Sequence, residues 1–213
     1  AGPAAAARPG GRSTAPRAVL EGNSVCVSAR TVAGPGSVVE DADVLCNDLA
    51  QAAGLPGTFV AWLSSEGDAR DRLRLDNITA QGWIRPDGQP FVDRQTDLIE
   101  GRVLYPPVLD ENGDAKRGRV ALTATSADGT ASDYNCENWT DFTDGYFSFG
   151  RPGGGAELWG AGYLRSCAGA EPVHLYCFGV VLASPVEYEP VEGRFAFVTQ
   201  GKATGSAGLD AFD

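Results

Sequence analysis

Residues 42–65 read ADVLCNDLAQAAGLPGTFVAWLSS. Their first half carries a helical period: Ala42, Leu45, Cys46, Leu49 and Ala53 recur at three- and four-residue steps and share one face. Extended back through VVEDADV, the segment predicts one long amphipathic helix. Ser37 followed by Glu40 has capping-box spacing, and Glu40, Asp41 and Asp43 suit the positive end of the helix dipole. The same acidic trio has a cation site's composition, but capping is ordinary chemistry for a helix start. Gly54 is placed for the left-handed C′ position, and Pro56 forbids continuation. Phe59, Ala61 and Leu63 then alternate with Val60 and Trp62, which predicts a strand buried on both sides.

Upstream, Val25 to Ser28 reads as a strand and Gly34-Pro35-Gly36 as a loop. Residues 1–18 are Ala/Pro/Gly-rich without apolar period, and read as a flexible linker or tail. Downstream, Trp83-Ile84-Arg85, Pro86-Asp87-Gly88 and Phe91-Val92 read as a hairpin. Thr96 to Glu100 predicts a helical turn stopped by Gly101, Val120 to Thr123 a strand, and Asp128-Gly129 a turn. His174 to Phe178 is a late strand, expected to be central. The Gly-rich stretch between Cys136 and Cys167 reads mostly as loop. One good helix among short strands gives α+β, not a βαβ series, for a domain spanning 19–190.

The 213 residues carry 17 Lys and Arg against 28 Asp and Glu, a net charge of −11. That field repels phosphate backbones and anionic lipid heads, which argues against nucleic-acid binding. Hydrophobic residues make up 43%, too many for disorder of the whole chain. No apolar run approaches the roughly 18 residues of a membrane helix, so no membrane insertion is expected. The chain has no Met, which reads as a processed or excised piece. Its five Cys, at 26, 46, 136, 167 and 177, form no CxxC pair. Their wide spread suits long-range disulfides in an oxidising, extracellular or cell-surface compartment, with one thiol left over.

FVTQGKATG at 197–205 echoes CVSARTVAG at 26–34, and GLDAFD at 208–213 then aligns with VVEDAD at 38–43. Residues 191–213 accordingly read as the start of a truncated second copy, with further copies of the domain in the parent chain. Cys26 aligns with Phe197, an apolar position, and reads as a small buried hydrophobe with a free thiol.

Three blocks, ADVLCNDLAQAAGLPGTFVAWLSS (42–65), SADGTASDYNCENWT (126–140) and SCAGAEPVHLYCF (166–178), resemble the endostatin domain of collagen and bacterial extracellular relatives of unknown function. The bacterial group is the nearer, through LDENGD (109–114) and ADGT (127–130). The resemblance covers about residues 24–180. It implies a C-type lectin-like fold: one main helix against short antiparallel strands with long loops and two disulfides. Carried over by position, those bridges are Cys46–Cys177 and Cys136–Cys167, with Cys26 free. The residues alone leave 15 arrangements open. Endostatin binds heparin through clustered arginines and zinc through N-terminal histidines; this acidic chain has scattered Arg and no N-terminal His, so neither activity transfers. Lectin calcium motifs are also missing, because Gln89-Pro90 is followed by Phe91 and Trp139 by Thr140.

Among single residues, His174 opens the apolar final strand, where a structural role outweighs a general base. Asp110, Asn112 and Asp114 place oxygens at alternate positions and are weak calcium candidates, although the EF-hand glycine and distal Glu are missing. Asn77-Ile78-Thr79 and Asn138-Trp139-Thr140 are formal glycosylation sequons. Trp139, Trp159, Tyr146 and Phe149 are the candidate ligand-binding aromatics around the Gly-rich 150–155 loop. The reading is a non-catalytic extracellular recognition or adhesion module without a cofactor. It binds a surface protein or glycan through long loops. The alternative is a carbohydrate binder, with or without calcium assistance.

Overall fold

The computed structural model describes residues 21–31, 38–168 and 172–186. The 1–18 tail, the Gly34–Gly36 loop, Ser37 of the capping box and the repeat-like 191–213 segment lie outside the described residues. The elements in chain order are β1 (Asn23–Val27), α1 (Val38–Ala52), β2 (Phe59–Ala61), a 3-10 turn (Ala69–Arg72), β3 (Arg74–Leu75), β4 (Ile78–Thr79), β5 (Trp83–Ile84), β6 (Pro90–Val92), α2 (Gln95–Ile99) and β7 (Ala121–Leu122). Then come β8 (Tyr146–Gly150), a helical turn (Gly155–Leu158), β9 (Tyr163–Ser166) and β10 (His174–Gly179). The chain is α+β, with one main helix, many strands and two disulfides.

The expected central strand is β10, all six of whose residues are buried. One edge pairs antiparallel with β1, matching Val25 to Phe178 and Val27 to Tyr176. The other edge is shared: His174 and Leu175 pair with β7, and Cys177 to Gly179 pair with β2. The sheet runs β6-β5-β1-β10-β7-β8-β9, with β2 joined to β10. It is mixed and not purely antiparallel, since β1–β5 and β10–β7 are parallel pairs.

The period of two along β10 creates two cores. Leu175 and Cys177 face α1, among Cys46, Phe59, Leu63, Phe147 and Phe149. Tyr176 and Phe178 face the other way, among Trp62, Trp83, Phe91 and Trp159. Aromatic rings make that second core, with centroids 5.1 Å apart for Phe91–Trp159 and 5.3 Å for Trp159–Tyr176.

Helix α1 ends as its sequence predicts. Gly54 takes φ +72°, its N–H donates to the Gln51 carbonyl, and the Leu55 N–H donates to that of Ala50. This is the Schellman pattern. The acidic start behaves differently from a simple dipole complement. Asp43 reaches off the helix to accept from the Ala61 N–H at 2.8 Å, and both its carboxylate oxygens accept from Arg72 Nη2 at 2.6 Å. One turn on, Asn47 accepts from the Phe59 N–H and donates to its carbonyl. These side chains satisfy the edge of β2 that β10 leaves open. The strand is therefore short, and Val60 is only partly buried.

Between Cys136 and Cys167 the chain is not loop alone. It holds the antiparallel pair β8–β9, which continues the sheet beyond β7. The physical reason is the alternation Tyr146-Phe147-Ser148-Phe149, in which both phenylalanines enter the α1 core.

Candidate functional site

Of the four predicted ligand-binding aromatics, three are core residues. Trp139 is 3% exposed and donates its indole N–H to the Ser64 carbonyl at 2.9 Å. Trp159 lies in the second aromatic cluster, and Phe149 stacks on Tyr163 with centroids 5.3 Å apart. None presents a face to solvent, because the sheet needs those rings to fill its two sides. Tyr146 differs: it is 55% exposed.

Tyr146 has companions that the sequence did not single out. Residues directly opposite in an antiparallel pair point to the same face. In β8–β9, Tyr146 opposes Ser166 and Ser148 opposes Leu164. On the near side, Asn135 bridges Phe147, and the Ser148 N–H donates to the Tyr134 carbonyl, so Tyr134 lies across from Ser148. Tyr134, Tyr146 and Leu164 therefore share one face of a three-strand ribbon, and they are 47%, 55% and 50% exposed. The ribbon's other face is spent on the α1 core.

The turn beside this face is unusual. Cys136, Glu137, Asn138 and Trp139 are all left-handed, with φ of +53°, +52°, +54° and +66°. Each L-residue there costs about 1–2 kcal/mol. The turn is held at several points. Cys136 is bonded to Cys167, Trp139 is anchored on Ser64, and the Asn135 carboxamide oxygen accepts from the Asn138 N–H at 2.9 Å. The result is that Glu137 and Asn138 project outward while Cys136 and Trp139 point in. Asp141 follows, its exposed carboxylate held below the usual range by the Thr143 hydroxyl and N–H.

The calcium candidates do not form a cation site. Asp110 is buried, and its carboxylate pairs with Lys116 Nζ at 2.8 Å. The same carboxylate accepts from the N–H groups of Asn112 and Asp114. Burial alone would raise its pKa, but the Lys116 hydrogen bond and those backbone donors outweigh it and hold the group low. Asn112 and Asp114 are exposed. Among the described residues, no group of three or more His, Cys, Asp or Glu is arranged to hold a metal ion. DENGD is an ion-paired turn that bridges to Val27 of β1.

His174 Nδ1 lies 2.7 Å from the Ser28 carbonyl, which requires the proton on Nδ1. The Ser28 hydroxyl is itself engaged, donating to the Arg30 carbonyl and accepting from the Leu175 N–H. That pair ties β1 to β10. Cysteines 46 and 177 are bonded, as are 136 and 167, while Cys26 is a buried free thiol.

No described helix is long and apolar enough to cross a membrane. No family profile matches the chain, and no curated protein matches it.

Proposed function

We propose that the chain is a non-catalytic extracellular recognition module, and that its contact surface is the Tyr134/Tyr146/Leu164 face beside the left-handed turn. The observation that carries this reading is the placement of two tyrosines and a leucine, each about half exposed, on one face of a ribbon whose other face is core. Tyrosine supplies broad, rigid contact area with a polar tip, the combination enriched at recognition surfaces. The left-handed turn adds to the reading, because strain of this kind collects at functional sites. Two disulfides fit an oxidising compartment. The fold reading that goes with it is a C-type lectin-like variant. Supporting it are the two bridges at the positions the endostatin resemblance implies, and the clasp of α1 on the central strand.

A carbohydrate ligand is the second reading, favoured by the two exposed tyrosine rings on one face. In this form it is calcium-independent, since Lys116 already neutralises the only candidate carboxylate that is buried. The test is a glycan array probed with the 213-residue chain, in calcium and again in EDTA. The expected result is binding to one glycan class, equal in both buffers and lost in Tyr146→Ala. Binding that survives Tyr146→Ala and Tyr134→Ala would remove this face from the account. A blank from folded protein would turn the search to protein partners.

A further inference from the structure

The three cysteines of the α1 core stand in a relation that their bonding hides. Cys26 of β1 is the direct register partner of Cys177 of β10, and Cys177 is the half-cystine bonded to Cys46 of α1. All three belong to the same buried cluster. Register partners in antiparallel strands have Cα atoms about 4.5 or 5.5 Å apart, and point to the same face. Disulfides span Cα separations of roughly 4.4–6.8 Å. Two pairings of Cys177 therefore compete: the observed one to the helix, and a second one across the sheet.

We propose that Cys26, Cys177 and Cys46 form an intramolecular thiol–disulfide exchange centre, held in the helix-stapled pairing by burial of Cys26. In the exchange, Cys26 loses its proton to solvent and its thiolate attacks the Cys177 sulfur. The Cys26–Cys177 bond forms as the Cys46–Cys177 bond breaks. Cys46 leaves as a thiolate and takes up a proton. One disulfide and one thiol stand on each side, so no oxidant or reductant is consumed.

The 109–111 segment runs beside β1 next to Cys26. Val27 donates its N–H to the Leu109 carbonyl at 2.8 Å, and Ala29 donates to Glu111 Oε2 at 2.9 Å. Burial foremost, then the Glu111 and Asp110 charges, push the Cys26 thiol far above its ordinary range. A thiol is not the nucleophile; the thiolate is. Cys26 lies in the cluster that α1 covers, so the exchange waits on local opening between α1 and the sheet while the β1–β10 register is still intact. The switch releases α1 from its covalent hold on the sheet and leaves it docked by its apolar face and by the Asp43 and Asn47 hydrogen bonds.

Two arms test the exchange on the full chain. First, Cys46→Ser, oxidised in air and mapped without reduction, should link Cys26 to Cys177 while Cys136–Cys167 reports a folded chain. Cys26 and Cys177 both recovered as alkylated free thiols, with Cys136–Cys167 intact, would overturn the proposal. Second, the unaltered protein is held at alkaline pH in sub-denaturing guanidinium, quenched in acid and labelled with N-ethylmaleimide after unfolding. The label should pass from Cys26 to Cys46, with Cys136–Cys167 retained. Label that stays on Cys26 throughout overturns the exchange, as does label on Cys46 in a Cys26→Ser variant.

Discussion

The Lys116 ammonium and the Asp110 carboxylate show how one buried charge is made tolerable. Asp110 is 1% exposed and anchors the 110–114 turn against β1. Removing its partner leaves an uncompensated buried charge, so Lys116→Ala should destabilise the protein by about 3 kcal/mol in urea melts at neutral pH. The sign with pH follows from the lowered pKa of Asp110. Its contribution is full above the unfolded carboxylate value of about 4 and disappears as pH falls through the folded value. The difference between the two proteins should shrink as acid protonates Asp110. A gap that is constant from neutral pH into acid would assign the loss to the packing of the lysine stem.

At the scale of elements, the docking of α1 on β2 rests on a few side-chain atoms. Arg72 donates to the carbonyls of Ala61 and Leu63 and grips Asp43, so one guanidinium ties helix, strand edge and 3-10 turn together. Arg72→Ala removes the donor to two carbonyls and leaves the Asp43 carboxylate without its countercharge, and should cost about 2–4 kcal/mol in thermal or denaturant melts. Gly150 is a second junction. A Cβ there would stand 1.8 Å from the Trp159 carbonyl oxygen, so Gly150→Ala should push the 151–162 segment off β8 and expose Trp159 to fluorescence quenchers.

How much of this was legible depends on how local each signal is. Helix α1, its Gly54 stop and the β5–β6 hairpin are written in residues a few positions apart, and sequence reading places them. Phe147 and Phe149 carried a period-two signal for β8, but the Gly-rich run after it argued for loop. The left-handed turn has no glycine among Cys136 to Trp139, so no residue type announced it; its cause is the tie of Cys136 to Cys167 and of Trp139 to Ser64, partners contributed from elsewhere. Tyr134 joins the proposed contact face only through strand register, which is a property of pairing and not of spacing.

For the molecule as a whole, the two bridges divide the work. Cys46–Cys177 closes a separation of 131 residues and joins helix to central strand. Cys136–Cys167 closes 31 and secures the left-handed turn at the proposed contact surface. Chain entropy assigns them up to about 5 and about 3.7 kcal/mol respectively. A Cys136→Ala/Cys167→Ala variant should therefore lose about 3–4 kcal/mol of stability, and its 136–139 amides should exchange faster than those of β10. The central claim is that recognition belongs to the Tyr134/Tyr146 face, and exposure alone does not single that face out. Tyr105 is 48% exposed on the 101–107 segment and serves as the internal control. The decisive measurement is the dissociation constant for one bound ligand, taken in parallel for Tyr146→Ala and Tyr105→Ala. The account predicts about tenfold weakening for Tyr146→Ala and none for Tyr105→Ala. Unchanged affinity in Tyr146→Ala, or a loss confined to Tyr105→Ala, would contradict it.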